Sequence, residues 1–372
     1  MSEDKYLVIS IDGGGIRGLM SALLLQALPE SVLRRADFYA GTSTGSVLAL
    51  GLAAGMDIDS LVQLYISDCG KFFSPYDPDK ENNFALRLVQ NILQKAEDDL
   101  DRTLLNSHPL VKGILEHLSS VTDNLLFPKY GNDDRYTVLK QRLPNMTLGE
   151  IWQQQQKRAL VTTFLLNRPN GDGRFRWQPE ILHNLPNIPS SGLADKLTLA
   201  EASMCSTSAP LYFEAFSSSL GPLAADGGIF ANNPGSIGLA ALMGSGIAGR
   251  LENVYLLSIG TGFNLSCYPA QHGIESRFPW GMLGWLSPKQ HRYTPPFPLL
   301  ESMFDGASAL DDRQCCLMLG ADRYRRANLY LDQDNIPLDA CDQVDELRER
   351  SQEYLRSTQW QEIIAWTQQH FS

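Results

Sequence analysis

Within its first 55 residues the chain twice runs from a short apolar strand through a glycine-rich turn into an apolar helix, and few folds accommodate that rhythm. Residues Tyr6 to Ile11 (YLVISI) form a β-branched run of the kind that makes a buried strand. It ends in Asp12-Gly13-Gly14-Gly15-Ile16-Arg17-Gly18, and the helical segment LMSALLLQAL follows until Pro29 stops it. Asp37 to Ala40 (DFYA) is a second short strand, running into Gly41-Thr42-Ser43-Thr44-Gly45 and then SVLALGLAAG. That last segment is small and apolar on every side, so it belongs in the interior. Strand, turn and helix in alternation imply an α/β fold with a largely parallel sheet.

Further along, Arg158 to Leu166 reads as a strand with Phe175 to Trp177 as a possible neighbour. Leu199 to Cys205 reads as a helix, Val254 to Ile259 as another buried strand, and Val344 to His370 as charged amphipathic helix. Residues 71–150 are less regular, apart from helical apolar spacing over Phe84 to Leu100. Residues 263–300 are rich in Pro, Gly and aromatics and read as an irregular loop. No linker divides the 372 residues, so the expectation is one domain, with 333–372 as its C-terminal helical region.

Charge narrows the partners. With 31 Lys+Arg against 42 Asp+Glu the net charge is −11, which repels a nucleic acid polymer. The longest apolar stretch, Gly45 to Met56, falls short of the ~18 residues that a membrane span needs. The N-terminus, MSEDKYLVIS, is acidic where a secretion signal would be basic. The six cysteines (69, 205, 267, 315, 316 and 341) form no CxxC pair, so reduced thiols in a cytoplasmic protein are expected.

Two turns and one acid carry the chemistry. Ser43 sits in GxSxG between a strand and a helix, a setting that thrusts the hydroxyl out of the backbone, with Gly41 and Gly45 leaving room for it. The helix that follows favours negative charge developing nearby. Gly13, Gly14 and Gly15 expose backbone N–H groups, as an oxyanion hole or a phosphate site would. The run also fits G-x-G-x-x-G through Gly13, Gly15 and Gly18, but the acid required at the end of the next strand is missing, because Asp37 opens that strand. A Walker lysine is absent too. None of the six histidines (108, 117, 183, 272, 291 and 370) is marked out as a base for Ser43. Asp226, in Asp226-Gly227-Gly228, is the alternative; its glycines admit close backbone approach, although Asp-Gly is also a common turn dipeptide.

Asp12 to Gly18, Gly41 to Gly45 and Asp226 to Gly228, taken together and in this order, resemble the patatin-like phospholipases. Ser206 to Phe213 resembles the family's small-residue turn before the acid, and Asn232-Asn233-Pro234 the stretch after it. Leu256 to Gly262 resembles the strand that follows, and Tyr324 to Asn328 a later one. The resemblance covers residues 6–262 and reaches, more weakly, about 330.

It implies a three-layer α/β/α fold and a serine lipid acyl hydrolase that needs no metal or other cofactor. By that analogy Ser43 attacks an ester of a phospholipid or lysophospholipid, Asp226 is its base, and the amides of Gly13, Gly14 and Gly15 hold the oxyanion. Arg17 steadies that loop or meets a phosphate, with a structural ion pair as the competing reading. A broad esterase or acyltransferase using the same pair, and an inactive lipid-binding scaffold, are the other functions to weigh. Bacterial members of similar length that act as antiviral effectors add a cyclic nucleotide activator to the possible partners. Phe84 to Leu100 is a candidate lid helix, within a cap at 71–150. The aromatic stretch 278–287 (FPWGMLGWLS) suits a lipid interface, an acyl pocket or the core equally, and peripheral membrane association is consistent with the first.

Overall fold

The computed structural model describes residues 5–77, 128–189, 192, 196–264, 285–286, 295–331 and 336–371. Ten strands carry the topology: β1 (Tyr6–Ile11), β2 (Phe38–Gly41), β3 (Arg158–Pro169), β4 (Phe175–His183), β5 (Phe216–Ser217), β6 (Leu223–Asp226), β7 (Val254–Ile259), β8 (Phe263–Asn264), β9 (Tyr324–Ala327) and β10 (Tyr330–Leu331). Eight of them form one sheet in the order β5-β6-β3-β2-β1-β7-β9, with β4 also on β3. From β3 to β9 every neighbouring pair along that path is parallel; β4 and β6 run antiparallel to β3, and β5 to β6. β8 and β10 make a small separate pair.

Strand alternation sorts the core into two layers. Leu7, Ile9, Ile11, Tyr39, Leu257 and Ile259 join the larger cluster on one face. Val8, Phe38, Ala40 and Leu256, one residue out of step, join the cluster on the other. Helices α1 (Gly18–Gln26), α2 (Glu30–Arg35), α3 (Thr44–Ala53) and α4 (Ile58–Phe72) contribute to the first face. The helices Gly235–Ser245 and Pro298–Arg323 pack over the second. α3 is buried at every position, as its composition requires. α4 begins where the Asp57 carboxylate accepts from the Asp59 and Ser60 amides at 2.8 and 3.2 Å. Helices Leu148–Gln155 and Leu199–Thr207 each open with a complete capping box, Thr147 with Glu150 and Thr198 with Glu201.

Three expectations change. The stretch 263–300 is not loop to its end, since the 26-residue helix Pro298–Arg323 starts inside it. Its apolar residues do not keep to one face, since Leu299, Met303, Leu310, Leu317 and Met318 are exposed while Glu301, Ser308 and Asp311 are buried, and Gly320 interrupts it with a left-handed φ of 69°, which weakens the periodic signal. Within 71–150 the described part contains the helices Asp133–Arg142 and Leu148–Gln155, whereas the proposed lid, Phe84 to Leu100, lies outside the described residues. So does all of 278–287 except Trp285 and Leu286. The expectation of reduced thiols fails for one pair: Cys69 on α4 is disulfide-bonded to Cys341, 272 positions away, with Cα atoms 5.8 Å apart. Nothing in the spacing marks that pair; only the fold brings it together. Cys205 and Cys315 are buried thiols, Cys316 is an exposed one, and Cys267 is outside the described residues.

Candidate active site

Sheet register alone brings the three motifs to the carboxyl ends of the central parallel strands. β1 and β2 run in parallel with Ile11 opposite Gly41, so the loops that follow them emerge side by side. Gly41 also faces Val161 of β3, and β3 continues past the end of β2. β6 returns antiparallel along that overhang and stops at Asp226, opposite Thr163. The acid therefore ends one short step above the turn that carries Ser43, although 183 positions separate the two in sequence.

Ser43 occupies φ 50°, ψ −126°, a conformation that side chains rarely adopt, at the start of α3. The surroundings over-determine it. Thr42 Oγ1 is 2.7 Å from Thr162 Oγ1 and donates to the Ala231 carbonyl at 2.6 Å. The Ser43 amide donates to Ser206 Oγ at 2.9 Å, and Ser46 Oγ donates to the Ser43 carbonyl at 2.6 Å. A Cβ on Gly41 would lie 2.3 Å from the Gly45 carbonyl oxygen, and one on Gly45 2.2 Å from that of Ile11. Gly227 is equally constrained, with Thr162 Oγ1 at 2.1 Å, while a Cβ on Gly228 would crowd Asn232 and Phe304 at 2.9 Å.

The Asp226 side chain is wholly buried. Oδ1 accepts from the Gly228 amide at 2.7 Å, and Oδ2 has no partner of full hydrogen-bond quality. Burial pushes the carboxyl up to about 7; a hydrogen-bonding interaction with the Ser43 hydroxyl, the Gly228 amide and the charge of Arg135 pull the other way. The Ser43 interaction thus sits at the loose end of hydrogen-bond geometry, as resting sites often do.

The glycine loop is clamped from three sides. The Gly13 amide donates to the Asn232 carbonyl at 3.0 Å, and the Gly13 carbonyl accepts from Thr261 Oγ1 at 2.8 Å. Gly13 is thereby removed from the donor set expected of it. The amides of Gly14 and Gly15 donate to no acceptor among the described residues, and both residues line the same cavity as Ser43 and Asp226. Gly15 has a left-handed φ of 58° and lies against the Leu338 carbonyl, which would be 2.1 Å from a Cβ. Arg17 is buried: Nε donates to the Gly14 carbonyl at 3.4 Å and an amino nitrogen is 3.6 Å from Glu301. Loop support and an ion pair therefore describe its contacts among the described residues, and one amino nitrogen, Nη1, is left without a hydrogen-bond partner.

Several residues of the site escaped sequence reasoning. Asp12 is buried under a two-pronged contact from Arg326, at 2.8 and 2.5 Å. That pair anchors the start of the glycine loop to β9. Arg135, in a stretch without a motif, is wholly buried on the cavity wall, with its guanidinium 3.8 Å from the centre of the Phe213 ring. It donates to the Thr207 carbonyl at 2.6 Å and Ser208 Oγ at 3.1 Å, and burial lowers its pKa to about 9. No spacing signal distinguishes it from a surface arginine.

The cavity above Ser43 is walled mainly by Val47, Leu64, Phe72, Phe73, Phe213 and Phe304. No histidine among the described residues lines it. His183 is tied to Leu185 and Pro189, and His370 stacks on Tyr255. Histidines 108, 117, 272 and 291 lie outside the described residues. Asp37 is engaged with the Leu7 amide at 2.8 Å and with Arg35, far from the role a dinucleotide site would need. Among the described residues no group of three or more His, Cys, Asp or Glu converges as metal ligands do.

A strained serine turn at the carboxyl end of a central strand, a buried carboxyl beside it and a glycine loop with two amides unpaired among the described residues define a recognisable class. The patatin-like phospholipase family model matches residues 9–237, and the chain belongs to that family. It is 28% identical over 239 residues to a cGAMP-activated phospholipase of Pseudomonas aeruginosa, covering 63% of this chain and 56% of that protein. A cGAMP-activated phospholipase of Vibrio cholerae is 26% identical over 299 residues, 75% of this chain and 72% of the relative. An intracellular phospholipase A2 of Caenorhabditis elegans is 40% identical over 81 residues, 20% of this chain and 8% of that protein. The match thus spans little more than half of the Pseudomonas relative.

Proposed function

We propose that this chain hydrolyses fatty-acyl esters of phospholipids or lysophospholipids, with Ser43 as nucleophile and Asp226 as general base. The observation that carries the reading is the pairing of a strained, outward-thrust serine with a buried carboxyl raised to about 7, at the floor of an apolar cavity. An ordinary aspartate is a weak base toward serine; one raised to about 7 accepts the proton more readily while still being ionised near neutrality.

In this mechanism Ser43 Oγ bonds to the ester carbonyl carbon as its proton passes to Asp226 Oδ2. The carbonyl electrons move onto oxygen, held by the amides of Gly14 and Gly15 and by the amino end of α3. Collapse breaks the ester C–O bond, and the departing alkoxide takes the proton back from Asp226. Water, deprotonated by the same carboxylate, then releases the fatty acid from Ser43. The apolar walls suit an acyl chain.

The test is fatty-acid release from phospholipid–detergent micelles in a calcium chelator, by wild type and Ser43→Ala, with and without cGAMP. Release by wild type alone supports the reading, and a requirement for cGAMP would add gating. A rate in Ser43→Ala equal to wild type refutes the mechanism. Silence of both in every arm favours the inactive scaffold.

A further inference from the structure

The β3–β4 hairpin reaches well beyond the sheet. β2 pairs with β3 only over Arg158–Val161, and β6 only over Thr163–Leu165. Beyond Leu165 the two strands pair in the sheet only with each other, with Arg168 opposite Arg176 and Pro169 opposite Phe175, and the Leu223 amide donates to Asn167 Oδ1 at 2.6 Å. The turn between them is well defined: the Asn170 amide donates to the Arg174 carbonyl at 2.6 Å, and Gly173 takes a left-handed φ of 81°.

A ribbon open to water is expected to be polar, yet Phe175 and Trp177 are 69% and 75% exposed. Alternation puts both on one face, which continues inward through Leu166 and Phe164. Arg168 and Arg176, paired across the ribbon, lie on its other face and Arg174 lies at the turn, against one acid, Asp172, in a chain of net charge −11. The ion pair between Asp172 and Arg174 is 3.8 Å long and exposed, so it neutralises little. A hairpin tip with exposed aromatics on one face and arginines on the other and at the turn, on an otherwise acidic molecule, matches the chemistry of an anionic bilayer surface met end-on. The position suits that partner as well. Trp177 borders an apolar pocket that shares Phe213 with the cavity above Ser43, and β3 itself pairs with Asp226.

We propose that the tip of this hairpin, residues 166–177, docks on anionic phospholipid bilayers. Phe175 and Trp177 enter the boundary between headgroups and acyl chains, while Arg168, Arg174 and Arg176 meet lipid phosphates. The inference rests on the lipid-hydrolase reading for its purpose, so its test is scored on binding rather than turnover.

Ser43→Ala protein is sedimented with vesicles of phosphatidylcholine plus phosphatidylglycerol, and with vesicles of phosphatidylcholine alone. Preferential binding to the mixed vesicles is expected. Phe175→Ser/Trp177→Ser in the same background should lower vesicle affinity by roughly tenfold or more, as loss of two interfacial aromatics implies. Arg174→Gln/Arg176→Gln should abolish most of the preference for phosphatidylglycerol. Brominated lipid should quench fluorescence in the parent and much less in Trp177→Ser. With Ser43 restored, all variants should hydrolyse a short-chain, water-soluble ester at the wild-type rate, which shows that they fold.

Vesicle binding unchanged in the aromatic double variant overturns the proposal, as does a parent that binds no vesicles. A wild-type dimer that the same variant converts to monomer would assign the face to a second copy instead, and also overturns it. Vesicle binding through the hairpin by an enzyme that releases no fatty acid would refute the proposed function and leave this inference standing.

Discussion

At the residue scale, the site is governed by one buried carboxyl and by the space that the glycines leave. Asp226 binds its proton more tightly folded, near 7, than unfolded, near the ordinary 3.8. The ionised form therefore costs stability, and that cost grows as pH rises from about 4 through about 7. Activity runs the other way, because the base must be ionised. The kcat/KM for a soluble ester should rise to a plateau with a midpoint near pH 7, and a flat profile from pH 5 to 8 would contradict it. Asp226→Asn should lose ~10²-fold to ~10⁴-fold in turnover, yet melt no lower than wild type at pH 8. Gly45→Ala drives a methyl group into the Ile11 and Asp12 carbonyls, so chemical denaturation should show a loss of about 3 kcal/mol or failure to fold. The serine, the acid and these glycines were legible in the sequence because each is needed where the backbone turns sharply. That the Gly13 amide is engaged while those of Gly14 and Gly15 have no acceptor among the described residues was not legible, since it depends on the carbonyl that Asn232 presents to Gly13.

At the scale of elements, long-range register decides what the motifs can do. The first two strand–turn–helix units were readable because both ends of each are local. Asp226 reaches Ser43 only because β3 overhangs β2 and β6 folds back along the overhang, a relation between strands that no local pattern encodes. Arg326 is similarly remote: it reads as one of two adjacent arginines on a short strand, yet it holds Asp12 from within the sheet. Removing one partner of such a buried pair leaves an uncompensated charge. Arg326→Gln should thus destabilise by ~3–5 kcal/mol in urea, and Asp12→Asn/Arg326→Gln by less than the sum of the single changes. Additive losses would contradict the coupling. The helix Pro298–Arg323 was missed for a physical reason too, because polar side chains share its buried face and several large apolar ones face water.

For the whole molecule, the ends of the chain are tied into the site. The Leu338 carbonyl accepts from the Ile16 amide at 2.8 Å beside the glycine loop, and three residues on Cys341 is bonded to Cys69 on the cavity wall. Closing a loop of 272 residues restrains the unfolded chain strongly, so reduction, or Cys69→Ser/Cys341→Ser, should cost ~2–5 kcal/mol. Identical melting with and without a reductant would contradict that pairing.

The central claim, that Ser43 is a nucleophile activated by Asp226, is tested most directly by covalent trapping. An alkyl fluorophosphonate should form a bond from Ser43 Oγ to phosphorus as fluoride leaves and the hydroxyl proton passes to Asp226. Intact mass and peptide mapping should show one adduct per chain, on Ser43, absent in Ser43→Ala and forming roughly 10²-fold more slowly in Asp226→Asn. An adduct on another residue, or undiminished labelling in Asp226→Asn, would contradict the account.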